Sequence, residues 1–222
     1  MNILNDPNLE MLLQTLHTES AVQEEEIDAY FGRRIAEGSL SWNGLDAQST
    51  EFFRNKFVAL EDEKASYCYL VCRALGARRV VECGTSYGVS TLYLAAAVRD
   101  NGGGKVTATE WEAEKAARAR ANFEKARLLE YIDLREGDLA ETLKTIDGPI
   151  DFVLLDVWTE AVMAAMRNIA KHLRKGAVII ADNTTSSRPG YAAYFAFLTD
   201  PANGFLTMTL PFEGGLEMSV KL

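Results

Sequence analysis

From Arg79 onward the chain switches regularly between short β-rich runs and stretches with helical spacing. That alternation constrains the fold more than any other feature. The runs are Arg79 to Gly84 (RVVECG), Lys105 to Glu110 (KVTATE), Tyr131 to Glu136, Asp151 to Asp156 (DFVLLD) and Ala177 to Asp182 (AVIIAD). Between them lie helical patterns over Gly88 to Val98, Ala113 to Leu129, and a face of Val162, Met166, Ile169 and Leu173, ended by Lys175-Gly176. A further face of Tyr191, Tyr194, Phe195 and Leu198 follows. Strand and helix in turn predict a parallel sheet wound on both sides. The nearly all-apolar DFVLLD run suits a strand buried on both faces. The tail, Phe205 to Leu210 and Leu216 to Leu222, predicts a closing hairpin that adds an antiparallel edge.

The first third reads as helical. Asp6-Pro7 is a helix start, a capping carboxylate followed by proline at the first helical position. Leu9, Leu12, Leu13 and Leu16 give one apolar face. Ser20 with Gln23 has the spacing of a capping box, and Ile27, Tyr30, Phe31 and Ile35 continue a second helix. Gly38, Asn43 and Gly44 mark a loop, and a third helix is expected from about Ser49 to Leu75, stopping at Gly76. The 222 residues suit one α/β domain, with residues 1–56 as a helical cap and 57–222 as the core.

Composition narrows the partners. Lys and Arg total 23 against 32 Asp and Glu, a net charge of −9, with 48% hydrophobic residues. That lacks the basic footprint of a nucleic-acid or anionic-membrane binder. No apolar stretch approaches a membrane span, and Met1 to Glu10 lacks a basic start, which disfavours a secretory signal. Cys68, Cys72 and Cys83 read as reduced core thiols, which points to the cytoplasm.

Chemistry concentrates at the ends of the strands. Glu82-Cys83-Gly84-Thr85-Ser86-Tyr87-Gly88-Val89-Ser90 lies between a strand and a helix, where open α/β sheets bind ligands. Its spacing is G-x-x-x-G, and Ser86 stands where a dinucleotide fingerprint has its middle glycine. An acid two residues before the first glycine repels phosphate but hydrogen-bonds an ammonium, which points from NAD toward a cofactor with an amino-acid moiety. Glu110, ending the second strand, is placed to accept both hydroxyls of a ribose, with Trp111 against an adenine face. Asp138 is placed either to accept from an adenine amino group or to cap a helix, and the two roles are compatible. Asp156 and Asp182-Asn183 end adjacent strands, and two carboxylates with an amide suit a hard cation such as Mg²⁺. An Asx turn at Asp182-Asn183 is the plainer alternative. Glu217, on the last strand, is a candidate for the same rim.

These motifs, Glu-x-Gly-x-x-x-Gly-x-Ser, Glu110, LLDVW, RKGAVIIADN and GLEMSVKL, occur in order over roughly Phe57 to Leu222. Together they closely resemble the catechol O-methyltransferase-like, cation-dependent class I methyltransferases. The resemblance implies a Rossmann-like α/β fold: a seven-stranded sheet, mostly parallel with an antiparallel C-terminal strand, and S-adenosylmethionine (SAM) across its top. It implies that Glu82 and Gly84 hold the methionine moiety, Ser90 its carboxylate, Glu110 the ribose and Trp111 the adenine. Leu60, Ser86, Tyr87, Gly88, Asp138, Asp156 and Trp158 complete the implied cofactor surroundings. Asp156, Asp182 and Asn183 match the metal ligands, and Glu217 an acid that binds a substrate hydroxyl.

Asp156-Val157-Trp158-Thr159 stands where the animal catechol enzymes read Asp-His-Trp-Lys. Their lysine is the general base, a role threonine cannot fill near neutral pH. The histidines, His17 and His172, are expected away from the site. The reading is thus a SAM-dependent O-methyltransferase acting with a divalent cation on a small phenolic or vicinal-diol acceptor, with a homodimer as an expected assembly. A metal-independent C- or N-methyltransferase, a nucleotide-binding oxidoreductase and a non-catalytic SAM-binding module are the alternatives. Acceptor specificity is expected in the cap and in loops near Leu40 to Asp46 and Thr184 to Gly190.

Overall fold

The computed structural model describes residues 3–39, 41 and 46–222. The acceptor loop expected near Leu40 to Asp46 therefore lies almost wholly outside the described residues, Ser41 and Asp46 excepted.

Five parallel strands form the centre: β1 (Arg79–Cys83), β2 (Lys105–Glu110), β3 (Ile132–Glu136), β4 (Ile150–Leu155) and β5 (Leu173–Asp182). The hairpin of β6 (Phe205–Leu210) and β7 (Leu216–Lys221) completes a seven-stranded sheet ordered β3-β2-β1-β4-β5-β7-β6. β7 alone runs antiparallel to both neighbours. The fold implied by the sequence resemblance is the fold observed.

The helices are α1 (Pro7–Ala21), α2 (Glu24–Ala36), α3 (Ala47–Phe53), α4 (Asp62–Leu75), α5 (Val89–Asp100), α6 (Ala113–Lys125), α7 (Leu139–Thr142), α8 (Thr159–Ile169) and α9 (Ala192–Thr199). One core lies between the sheet and α4, α5 and α6, where Leu92, Leu94 and Phe123 are fully buried. α1 adds Leu9, Leu13 and Leu16 to it, each contributing about 1.5–3 kcal/mol of burial. The second core packs Val162, Met166 and Ile169 of α8 and Tyr194 and Leu198 of α9 on the other face.

Asp6 caps α1 as expected, accepting from the Leu9 amide at 3.2 Å. Three local expectations fail, each to a longer-range contact. Ser20 does not start a capping box; it lies inside α1, and its hydroxyl donates to the Phe57 carbonyl at 2.8 Å. Gln23 accepts from the Phe57 amide at 3.2 Å instead of bracing α2. The single helix expected from Ser49 to Leu75 is two, because residues 54–61 run between α3 and α4 tied by those bonds to α1, with Phe57 and Leu60 buried. α4 ends at Gly76, which takes a left-handed conformation at φ 59°. Ile35 is exposed, and Arg34 is the buried residue of that turn, donating to Gln48 at 3.0 Å. Lys175-Gly176 does not end a helix. α8 stops at Ile169, and β5 already begins at Leu173, with a register irregularity between Ile150 and Phe152.

Candidate active site

β1 has β2 on one side and β4 on the other, so the chain's direction of travel across the sheet reverses at β1. A crevice opens at such a point, outside the carboxyl ends of the strands. Here Phe57, Leu60, Gly84, Ser86, Ser90 and Asp156 line one cleft. Five of these six are residues singled out from the sequence, drawn together from segments up to 96 positions apart.

The turn after β1 is shaped by contacts on both sides. Gly84 has φ +96°, and a Cβ there would fall 1.9 Å from the Asp156 carbonyl oxygen. Gly88 has φ +90°, and its Cβ would fall 2.4 Å from Phe123. Ser86 between them also has a positive φ of 49°. Its amide donates to Glu110 Oε2 at 2.7 Å, while its Oγ is buried and meets no protein partner. A buried, unpaired hydroxyl in a cleft is suited to a ligand. Tyr87 points away, stacking on Phe57 with ring centroids 4.3 Å apart and donating to the Asn55 carbonyl at 3.2 Å. It fastens the 54–61 segment over the cleft.

Glu82 is fully buried at the floor of this turn. Its carboxylate accepts from Ser90 Oγ at 2.7 Å, from Thr85 Oγ1 at 3.0 Å and from the Thr91 hydroxyl. Burial pushes its pKa up to about 7, against the pull of the three hydroxyls. Ser90, implied to bind a methionine carboxylate, donates here to Glu82. Glu110 accepts from the Ser86 and Glu112 amides, at 2.7 and 2.9 Å. Burial raises its pKa as well. Each bond takes one of a carboxylate's roughly four acceptor positions, which leaves room for hydroxyls. Trp111 is 66% exposed beside it. Asp138 caps α7, accepting from the Ala140 amide at 2.8 Å.

The second cluster sits at the ends of β4 and β5. Asp182 is buried; Lys64 Nζ donates to its Oδ1 at 2.6 Å and Asn183 Nδ2 to its Oδ2 at 2.9 Å. The Tyr191 hydroxyl donates to its carbonyl at 2.8 Å. Asn183 takes a left-handed conformation at φ 57°, with its Nδ2 on Asp182 and its Oδ1 toward Ser186 and Gly214. Burial lifts Asp182 to about 6, with Lys64 opposing. Burial also pushes Asp156 well above the usual carboxylate range, and the charges of Asp182 and Glu61 add to it. Two acids with an amide alongside are donor types that a hard cation takes, while among the described residues no three acidic, histidine or cysteine side chains gather into a metal site. Lys64 and Asn183 each occupy one of the roughly four acceptor positions of the Asp182 carboxylate.

Other expected residues are placed differently. Glu217 is buried on β7, one position in from the rim, and its carboxylate is taken by the hydroxyls of Thr207 and Thr209. Trp158 is 40% exposed and packs on Phe53 of α3, centroids 4.8 Å apart. Thr159 opens α8 beneath Gly190, whose Cβ would lie 2.4 Å from the Thr159 hydroxyl. His172 precedes β5 at the end of the strand opposite Asp182. The sequence reading passed over Lys64, Thr85, Thr91 and Tyr191. Lys64 sits in an E-D-E-K run that looks like a solvated helix start, and its partner is 118 residues away.

Residues 81–184 match a family described as a methyltransferase domain. The chain is 32% identical over 127 residues to a catechol O-methyltransferase of Mycobacterium tuberculosis, covering 57% of each protein. It is 27% identical over 134 residues to a catechol O-methyltransferase of Niastella koreensis, covering 57% of this chain and 58% of that one. The aligned part thus spans little more than half the length of these relatives. A structure described as a putative O-methyltransferase from Klebsiella pneumoniae superposes with a TM-score of 0.70 at 20% identity, covering 100% of this chain and 93% of the other. The O-methyltransferase from Bacillus cereus in complex with SAH gives 0.67 at 20% identity, covering 100% and 94%. The fold is therefore the one these solved structures share, and a little over half of the chain is similar in sequence to catechol O-methyltransferases. No helix among the described residues is long and apolar enough to cross a membrane.

Proposed function

We propose that this protein is a SAM-dependent methyltransferase that transfers a methyl group to a hydroxyl of a small phenolic or vicinal-diol molecule. The carrying observation is that Asp156, which lines the Gly84–Ser86 cleft, follows β4 directly where Asp182 ends the neighbouring β5, one position past the Leu155–Ala181 pair, so one residue joins a cofactor half to an acidic half. Glu82 would accept from the methionine ammonium, Ser86 Oγ would gain a partner, and Glu110 would accept from the ribose with Trp111 and Asp138 near the adenine. The 54–61 segment, through Phe57 and Leu60, excludes water from the methyl donor's side.

Asp156, Asp182 and Asn183 would hold a divalent cation such as Mg²⁺. When bound, it supplies Lewis-acid activation of the acceptor hydroxyl and fixes the oxygen for in-line attack. With threonine at position 159, no lysine base supplements it. Transfer to nitrogen or carbon without a cation is the second reading. The Lys64–Asp182 ion pair favours it, because it already places a positive charge at the rim. Calorimetry with SAM and NADH, followed by methyl transfer to catechol-type diols with and without EDTA, tests the proposal. Binding of NADH but not SAM sinks it, and full activity in EDTA selects the second reading. A homodimer in the cytoplasm is part of the same proposal, checked by light scattering and localisation.

A further inference from the structure

Lys64 is 1% exposed, a burial that lysine tolerates only when paired. It lies in the first turn of α4, directly after the segment that covers the cofactor cleft. Its ammonium is 2.6 Å from Asp182 Oδ1 and 2.9 Å from Glu61 Oε2. Asp182 is thereby held by Lys64 and Asn183 on its carboxylate and by Tyr191 on its carbonyl. Carboxylate rotation about the last side-chain bond is broad and soft, so a point charge fixed on one oxygen decides where the other lone pairs face. A buried acid such as Asp182, with half-buried Asp156 on the neighbouring strand, also needs charge compensation if both are to stand ionised together.

We propose that Lys64 is a positioning residue of the cation site. Its ammonium sets the rotation of Asp182, so that the open lone pairs turn toward Asp156, and offsets one of the two acidic charges before a cation arrives. This inference rests on the reading of Asp156, Asp182 and Asn183 as cation ligands. A lysine that merely glues α4 to β5 would leave cation affinity untouched in any variant that folds.

The experiment measures Mn²⁺ binding by electron paramagnetic resonance, with SAH present, on wild type, Lys64→Met and Lys64→Arg. SAH affinity is measured separately by calorimetry. Loss of an orienting partner behind a metal ligand typically costs about 10–100-fold in metal affinity. Lys64→Met should show a loss in that range, with SAH affinity within about two-fold of wild type, and Lys64→Arg should recover most of it. Unchanged Mn²⁺ affinity in folded Lys64→Met overturns the proposal, as does tighter binding, which would make the ammonium a competitor of the cation. If the methionine variant does not fold, Lys64→Gln, which keeps a donor without the charge, is judged on the same outcomes. Wild type that binds SAH but no Mn²⁺ overturns the cation reading and this inference with it. Wild type that binds no SAH overturns the methyltransferase reading, whatever Mn²⁺ does.

Discussion

The backbone amide of Ser86 donates to the carboxylate of Glu110 at 2.7 Å, tying the turn after β1 to the end of β2. One side chain thus fixes the backbone that shapes the cleft, and in the proposed reading it would also meet the cofactor's ribose. Glu110→Ala removes two charge-assisted amide bonds, from Ser86 and Glu112. Hydrogen bonds to charged groups are worth about 1.5–3 kcal/mol each. We expect a clear loss of stability in urea and SAM affinity lowered by ten-fold or more. Stability lost with affinity unchanged would confine Glu110 to a structural role.

Glu82 titrates near 7 in the folded chain, raised by burial above its ordinary value of 4.5. An acid with a raised folded pKa favours folding below its unfolded pKa, and that contribution is lost as pH rises through the folded pKa. The ligand-free protein should therefore lose stability between about pH 4.5 and 7, and Glu82→Gln should flatten that part of the profile. A cationic ligand needs the ionised form, so SAM affinity should rise with pH through 7 in wild type and not in Glu82→Gln. Thermal melts and calorimetry at pH 5.5 and 8 check both halves.

Chelation should separate the two halves of the site. EDTA is expected to abolish transfer to a diol while leaving SAM affinity unchanged, because Glu82, Ser86 and Glu110 lie apart from the Asp182 cluster. Asp182→Ala should behave like permanent chelation. It should also destabilise the fold, by less than the about 3–5 kcal/mol of a fully uncompensated buried charge, since Lys64 keeps Glu61 as a partner. Turnover that survives EDTA would leave the acidic pair a purely structural role.

Thr159→Lys should not rebuild the missing base. The residue is half buried under Gly190, and its hydroxyl sits where a Cβ on that glycine would clash. Overpacking such a contact costs about 1–3 kcal/mol. We expect a lower melting temperature and little or no gain in rate on catechol-type diols across pH 6–9. A gain of 10²-fold, within the usual range for general-base catalysis, would show that the loop yields and that position 159 reaches the acceptor.

Hydrophobic periodicity and glycine placement made the sheet legible, since a DFVLLD run or a Gly76 stop is a local signal. β2 lies where its pattern places it, Lys105 to Glu110. Leu60, Gly84, Ser86, Ser90 and Asp156, named from the motifs and from the family resemblance they carry, line one cleft. What failed depended on distant partners. Nothing near Ser20 announces that its hydroxyl will meet Phe57, 37 residues on, and break a predicted helix. Lys64 is a plain helix-start lysine until β5 brings Asp182 beside it. Glu217 reads as a rim acid because its two threonine partners sit on the facing strand.

Asp156 belongs to both halves of the molecule's chemistry. Its amide donates to the Cys83 carbonyl at 2.9 Å and its own carbonyl lies against Gly84, while Asp182 ends the neighbouring strand one position past the Leu155–Ala181 pair. The separation between the two halves is thus spanned by the bonds of a single residue, too few and too stiff to stretch. In the proposed reading, donor and acceptor would be held on a ruler one amino acid long. Evolution can exchange the acceptor pocket through the cap and loops, but the gap across which a methyl group would travel stays the same.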